Sequence, residues 1–151
     1  MSVESVREYF KRKNIQANIM LLEDTSTVDK AARSLGVTPG EIAKSLLFRT
    51  KEGYIMIVMA GDRKIDNRKF KETFSCKARM SDPKEVEEVT GHPVGGVCPF
   101  GLKNHIDVYL DESLKNYEIV YPAAGDINAA VAMTVKELSE LTGNRWVNVS
   151  Q

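Results

Sequence analysis

The feature that most narrows the fold is a pair of apolar runs, residues 42–49 and 54–60, joined by a turn at Lys51-Glu52-Gly53. A strand with one wet face alternates polar and apolar residues, whereas these runs are apolar almost throughout. They predict two neighbouring strands covered on both faces, and the cover has to come from helices. The rest of the chain supplies them. Val3, Val6 and Phe10 recur at helical spacing over residues 2–13. Thr27 caps a helix carrying Val28, Ala31, Ala32 and Leu35 that Gly36 ends. Thr38-Pro39-Gly40-Glu41 is a capping box with proline at the first helical position. Asp66 opens a helix through Phe74, Asp82-Pro83-Lys84-Glu85 one ending before Gly91, and Thr134-Val135-Lys136-Glu137 one closed by Gly143. Residues 17–22, 75–80, 105–110, 119–121, 129–133 and 145–149 read as further strands. The expectation is an α/β fold, one compact domain over residues 1–151 with a mixed β-sheet core flanked by helices.

A chain of 151 residues buries roughly 70% of its unfolded surface, so no staple is required. Only Cys76 and Cys98 are present, without Cys-x-x-Cys, a histidine cluster or His-Glu-x-x-His, so neither a disulfide framework nor a metal site is expected. The N-terminus is charged and amphipathic, and the longest apolar run, 54–60, is far short of the roughly 20 residues of a membrane span. A cytoplasmic protein with reduced thiols is expected, with no membrane partner. Lys plus Arg and Asp plus Glu each number 21, which excludes a basic coat over the whole surface. The charge is uneven, however. Residues 63–79 hold Arg63, Lys64, Arg68, Lys69, Lys71, Lys77 and Arg79 against only Asp66 and Glu72. That run reads either as a solvated helix face or as a footprint for a phosphate backbone.

Two places carry candidate chemistry. Lys44 shares a strand face with Ile42, Leu46 and Phe48, and a lysine interrupts an apolar face for one of two reasons. It is a snorkelling side chain with its head in water, or a cation at the floor of a pocket awaiting an anionic group. The second place is Gly91-His92-Pro93-Val94-Gly95-Gly96-Val97-Cys98-Pro99-Phe100-Gly101, whose glycines and prolines define a specific backbone path. Such a loop is an ordinary long connection or a device that brings main-chain groups up to a ligand. Neither a dinucleotide fingerprint nor a phosphate loop is spelled here. Cys98 offers a thiol with no basic partner identifiable in the sequence, and His92 and His105 stand without a triad context.

In order along the chain, Ala31-Ala32-Arg33-Ser34-Leu35-Gly36-Val37, the lysine-bearing Ile42-Ala43-Lys44-Ser45-Leu46-Leu47-Phe48, Gly61-Asp62, the loop from Thr90 to Gly101 with Gly95 and Pro99 as its Gly-x-x-x-Pro, Ala123-Ala124-Gly125-Asp126 and residues 138–143 resemble the YbaK family. This family of aminoacyl-tRNA deacylases includes the editing domain inserted in bacterial prolyl-tRNA synthetases. The resemblance implies hydrolysis of the ester joining a wrongly attached small amino acid, such as Ala, Ser, Thr or Cys, to the terminal adenosine of a tRNA. It implies a metal-independent enzyme without a cofactor, whose mechanism is substrate-assisted through the ribose 2′-hydroxyl. Lys44, Gly95, Gly96 and Pro99 take the catalytic positions, and Asp62, Val97, Cys98, Phe100, Gly101, Ala124 and Gly125 the substrate-binding ones.

No synthetase domain is appended, so action in trans on an aminoacyl-tRNA is expected, as a monomer or homodimer, on its own or beside a synthetase. The alternative on the same scaffold is a module that grips a tRNA end or a synthetase without catalysis.

Overall fold

The computed structural model describes residues 2–151. The two apolar runs form β2 (Ile42–Thr50) and β3 (Gly53–Ala60), an antiparallel hairpin at the centre of a six-stranded mixed sheet. β1 is Ile19–Leu21, β4 Asp107–Asp111, β5 Ile119–Pro122, β6 Ala129–Val131, β7 Met133–Thr134 and β8 Trp146–Val147. The sheet runs β7-β5-β2-β3-β4-β8, with β5 parallel to β2 and β4 parallel to β3, while β1 and β6 pair separately. The α/β expectation is met by this curled sheet and five helices: α1 (Ser2–Arg12), α2 (Val28–Leu35), α3 (Asn67–Phe74), α4 (Pro83–Thr90) and α5 (Val135–Thr142). Among the described residues no helix is long and apolar enough to cross a membrane.

Continuous apolar character in β2 and β3 has the reason expected of it. Ala43, Leu47, Met56 and Val58 enter a core shared with α1, α5 and the glycine loop, through Val6, Phe10, Val97, Phe100 and Leu138. Phe48, Ile55, Ile57 and Met59 face the opposite way, against Phe70 of α3 and Val149. A third, smaller cluster joins Ala31 and Ala32 of α2 to Ile42. The caps also form as read. Thr27 Oγ1 accepts from the Lys30 amide at 3.2 Å, Asp82 Oδ1 from Glu85 at 2.8 Å, and Thr134 and Glu137 complete a reciprocal box.

Two strand expectations need correction. Residues 75–80 form no strand: Ser75 turns left-handed at φ 59°, and only Met80 bridges, to Phe48. The alternation of Cys76 and Ala78 with Lys77 and Arg79 is real, since the first two pack on the α3 core, but the partner edge is too short for a ladder. Residues 129–133 are not one strand either, because exposed Ala132 separates β6 and β7, which pair in different places.

A buried carboxylate ties down the C-terminal end. Asp111, fully buried, accepts from the amides of Ser113 (3.0 Å) and Val149 (2.8 Å) and from Ser150 Oγ (2.7 Å). Burial pushes its pKa up, but these hydrogen bonds outweigh burial and hold it below the ordinary aspartate value. The stability it contributes is therefore complete above the ordinary value and is lost as pH falls through the lowered one. Asp111→Ala leaves three donors stranded and is expected to cost about 3 kcal/mol or more in urea unfolding. A loss below about 1 kcal/mol would contradict this role for the carboxylate.

Candidate active site

The edge of β2 is covered at both ends and bare in between. At one end Ile42 and Ala43 pair with Tyr121 and Pro122 of β5. At the other, the Arg49 amide donates to Arg79 O (2.9 Å) and the Ser81 amide to Leu47 O (3.0 Å). Main-chain groups of alternate residues point to the same side of a strand, so those of Ser45 point outward like those of Leu47 and Arg49. Ser45, registered with Val58 of β3 on its inner side, lies in this gap of the outer edge, and there a cavity of about 450 Å³ opens. Its wall is mainly apolar, including Val28, Ile42, Leu47, Val86, Val97 and Ala130, and its polar share includes Thr25, Ser26, Lys44 and Ser81.

Lys44 stands at this cavity on the strand face it shares with Ile42 and Leu46. Both readings of its position describe part of what is seen. The stem is half-buried, and Nζ donates to the main-chain oxygen of Arg63, just past the end of β3. Burial lowers its pKa from the usual lysine value, the Asp62 carboxylate raises it, and Lys64 lowers it further. The result is a cation fixed by one carbonyl, with donor positions left over.

The glycine loop forms the facing wall through Val94, Gly95 and Val97. Its path is set by close approaches. A turn from Pro93 O to the Gly96 amide (2.8 Å) lays Gly95 and Gly96 against two other chain segments, and Gly96 O accepts from the Gly125 amide at 3.0 Å. A Cβ on Gly95 (φ +94°) would lie 2.9 Å from Ser26 Cα, and one on Gly96 only 2.5 Å from the Asp126 amide nitrogen. Both contacts are with backbone, which has no side-chain torsion to relieve them. Nothing but glycine fits.

Of the expected site residues, the structure brings Lys44, Gly95 and Val97 to the cavity. Gly96 and Pro99 are buried beside it without lining it, and Asp62 is exposed with its carboxylate 3.8 Å from Arg63 Nε. Phe100 packs fully buried against Phe10 at a ring separation of 4.9 Å, and Ala124 is also core. Gly125 and Gly101 lie against the α1 backbone at Ser2 and Ser5, with Gly101 at a separate, more polar depression that Glu8, Arg12 and Lys103 also line. Thr25, Ser26, Met80, Ser81 and Tyr121 line the cavity yet were not singled out from the sequence. Only Thr27 beside them carried a signal, that of a helix cap.

Cys98 does have a neighbouring base. His92 Nε2 lies 3.8 Å from its Sγ, a proximity the sequence did not disclose. The pair is not a nucleophile with its base, however. Nε2 is 2.7 Å from Phe100 O, an acceptor only, so that nitrogen carries a proton and cannot take one from the thiol. Burial pushes the Cys98 thiol up to about 12 and lowers the His92 pKa, and Cys98 lies outside the cavity lining. Cys98→Ala is therefore expected to leave unchanged any turnover that wild type shows in an ester-hydrolysis assay. Loss of turnover with an unchanged melting curve would revive a thiol mechanism.

The comparisons with known proteins agree with this architecture. Residues 22–141 match the family described as aminoacyl-tRNA editing domain. The uncharacterized protein YwhH of Bacillus subtilis is 49% identical over 152 residues, covering 99% of this chain and 97% of its own. The "Putative Cys-tRNA(Pro)/Cys-tRNA(Cys) deacylase EbsC" of Enterococcus faecalis is 28% identical over 130 residues, 85% of this chain and 79% of that one. A solved structure described as "a putative trans-editing enzyme for prolyl tRNA synthetase" superposes with a TM-score of 0.92 at 31% identity, covering 99% of this chain and 97% of its own.

Proposed function

This chain belongs to the aminoacyl-tRNA editing domain family, and from that premise we propose that it acts in trans, hydrolysing the ester between a small amino acid and the 3′ terminal adenosine of a tRNA. The observation that carries the proposal is the cavity itself, where Lys44, the bare edge at Ser45 and the glycine loop meet in one largely apolar space of about 450 Å³. That volume suits an aminoacyl group with part of its adenosine. Its walls suit alanine, serine, threonine or cysteine better than a charged side chain.

In the proposed reaction a water adds to the ester carbonyl, the bond to the ribose oxygen breaks, and free amino acid and a tRNA 3′-hydroxyl leave. The ester is already activated, so the protein's task is to position the water and stabilise the negative charge gathering on the carbonyl oxygen. The outward main-chain groups of Ser45 and the rigid turn at Gly95 hold the aminoacyl group. Lys44 supplies a fixed positive charge for the terminal phosphate or a ribose hydroxyl. The substrate's own 2′-hydroxyl relays the proton, as the family resemblance implies. Gly96 and Pro99 keep the loop on its path, while Cys98, Phe100, Gly101, Ala124 and Gly125 anchor it and the segment beside it to the core. Asp62 acts through Lys44, as the carboxylate that supports its charge.

The reaction is proposed to need no metal. Release of amino acid from alanyl-, seryl-, threonyl- and cysteinyl-tRNA, on cognate and proline tRNA, is expected for one or two members of the panel. A chelator is expected to leave the rate unchanged, and loss of activity that zinc or magnesium restores would overturn the metal-independent part of the reading.

A further inference from the structure

Both ends of the basic stretch 63–79 adjoin residues that line the cavity. Arg63 gives its carbonyl to Lys44 Nζ, and Arg79 leads directly into Met80 and Ser81 of the cavity wall. With seven basic and two acidic residues, this stretch leaves 14 basic against 19 acidic in the rest of a neutral chain. The charge is also oriented. Phe70 and Phe74 turn one face of α3 onto the core, with their rings 4.8 Å apart, so Lys71 and Arg68, three residues apart, share the outer face. Cys76 and Ala78 pack inward, and Lys77 and Arg79 alternate with them on the exposed side.

Part of this charge is already used. Arg68 pairs with Glu72 at 3.2 Å, Arg63 with Asp62 at 3.8 Å, and Lys69 Nζ donates to Ser150 O at 2.8 Å. Lys64, Lys71, Lys77 and Arg79 are exposed, and among the described residues none of the four is in an ion pair. Lys71, Lys77 and Arg79 lie on the outer side of segments packed on one core cluster, and Lys64 stands near Lys44 at the other end of the stretch; unpaired like charges gathered in this way repel each other. The surface between them is polar, with Asn67, Thr73 and Ser75 exposed, whereas the buried centre of a protein–protein interface is depleted in lysine.

We propose that this face seats the phosphodiester backbone of the paired acceptor stem while the single-stranded 3′ end lies in the cavity. The proposal rests on the editing reading and adds that the body of the tRNA is held, through four cations and without base recognition. Two variants test it. One is the fourfold Lys64→Gln, Lys71→Gln, Lys77→Gln, Arg79→Gln protein. The other, Lys11→Gln, Lys51→Gln, Lys103→Gln, Lys136→Gln, makes the same net-charge change elsewhere.

Binding of uncharged tRNA is measured from low to moderate salt. The first variant is expected to flatten the slope of log K against log salt by about 3 and to raise KM for full-length aminoacyl-tRNA roughly tenfold or more. Hydrolysis of an aminoacylated CCA trinucleotide, which has no stem, should keep its wild-type rate when compared on the plateau below the alkaline limb, where the effect of Lys64 on the Lys44 pKa does not enter, and the second variant should behave as wild type throughout. Unchanged slope and KM in the first variant, or an equal loss in the second, would overturn the proposal. If the wild type cleaves no ester at all, the editing reading fails separately, and the slope for uncharged tRNA still decides this surface.

Discussion

Lys44→Ala is expected to lower kcat/KM for aminoacyl-tRNA by at least about a hundredfold, the scale seen when one charge-stabilising donor is removed from a preorganised site. The chain should still unfold cooperatively, because Leu46, Leu47 and Phe48 retain their partners on both faces of β2. Lys44→Met keeps the stem and removes only the charge, so it should be as inactive as the alanine variant. Activity in the methionine variant would reduce Lys44 to packing.

The charge also predicts a pH dependence. Burial holds the Lys44 pKa below the usual lysine value, so activity should fall on the alkaline side at a lower pH than an exposed lysine would give. Asp62 raises that pKa. Asp62→Asn should therefore move the alkaline limb to lower pH, and a limb that stays in place would remove Asp62 from the account.

Gly96→Ala is the second large effect. The new methyl carbon would meet the Asp126 amide nitrogen at 2.5 Å and Asp126 Cα at 2.6 Å. The loop must then part from the Asp126 segment, breaking the Gly125 amide to Gly96 O bond. Overpacking of this kind costs about 1–3 kcal/mol, and the turn that follows Pro93 loses its seat. Because Gly95 and Val97 form a wall of the cavity, hydrolysis should fall by more than the loss of folded protein explains. Assay well below the melting midpoint separates the two. Full activity there would mean that the loop's position does not matter to the chemistry.

How legible the fold was depended on the distance over which each signal acts. β2 and β3 were readable because burial on both faces writes itself into every residue of a short run. The helices were readable because Thr27, Asp66, Asp82 and Thr134 cap within three residues of themselves. Lys44 stood out because a cation breaks an apolar face. What failed was pairing: residues 75–80 alternate like a strand, but only the short free edge at Leu47 to Arg49 is there to receive them.

The cavity was half legible for the same reason. Gly95 against Ser26, and Ser81 against Leu47, are contacts across the fold that leave no local pattern in either segment. The proximity of His92 to Cys98 was likewise invisible, although they are only six positions apart, because it depends on the loop folding back on itself.

Ester hydrolysis at the cavity between Lys44 and the glycine loop is tested by release of labelled amino acid from the panel of four aminoacyl-tRNAs, with wild type and Lys44→Ala run side by side. Cleavage of one or two members is expected from the wild type, and none above the spontaneous rate from the variant. Equal cleavage by both proteins would place the chemistry elsewhere. No cleavage by either, with tRNA binding retained, would make this chain a binding module built on the editing fold.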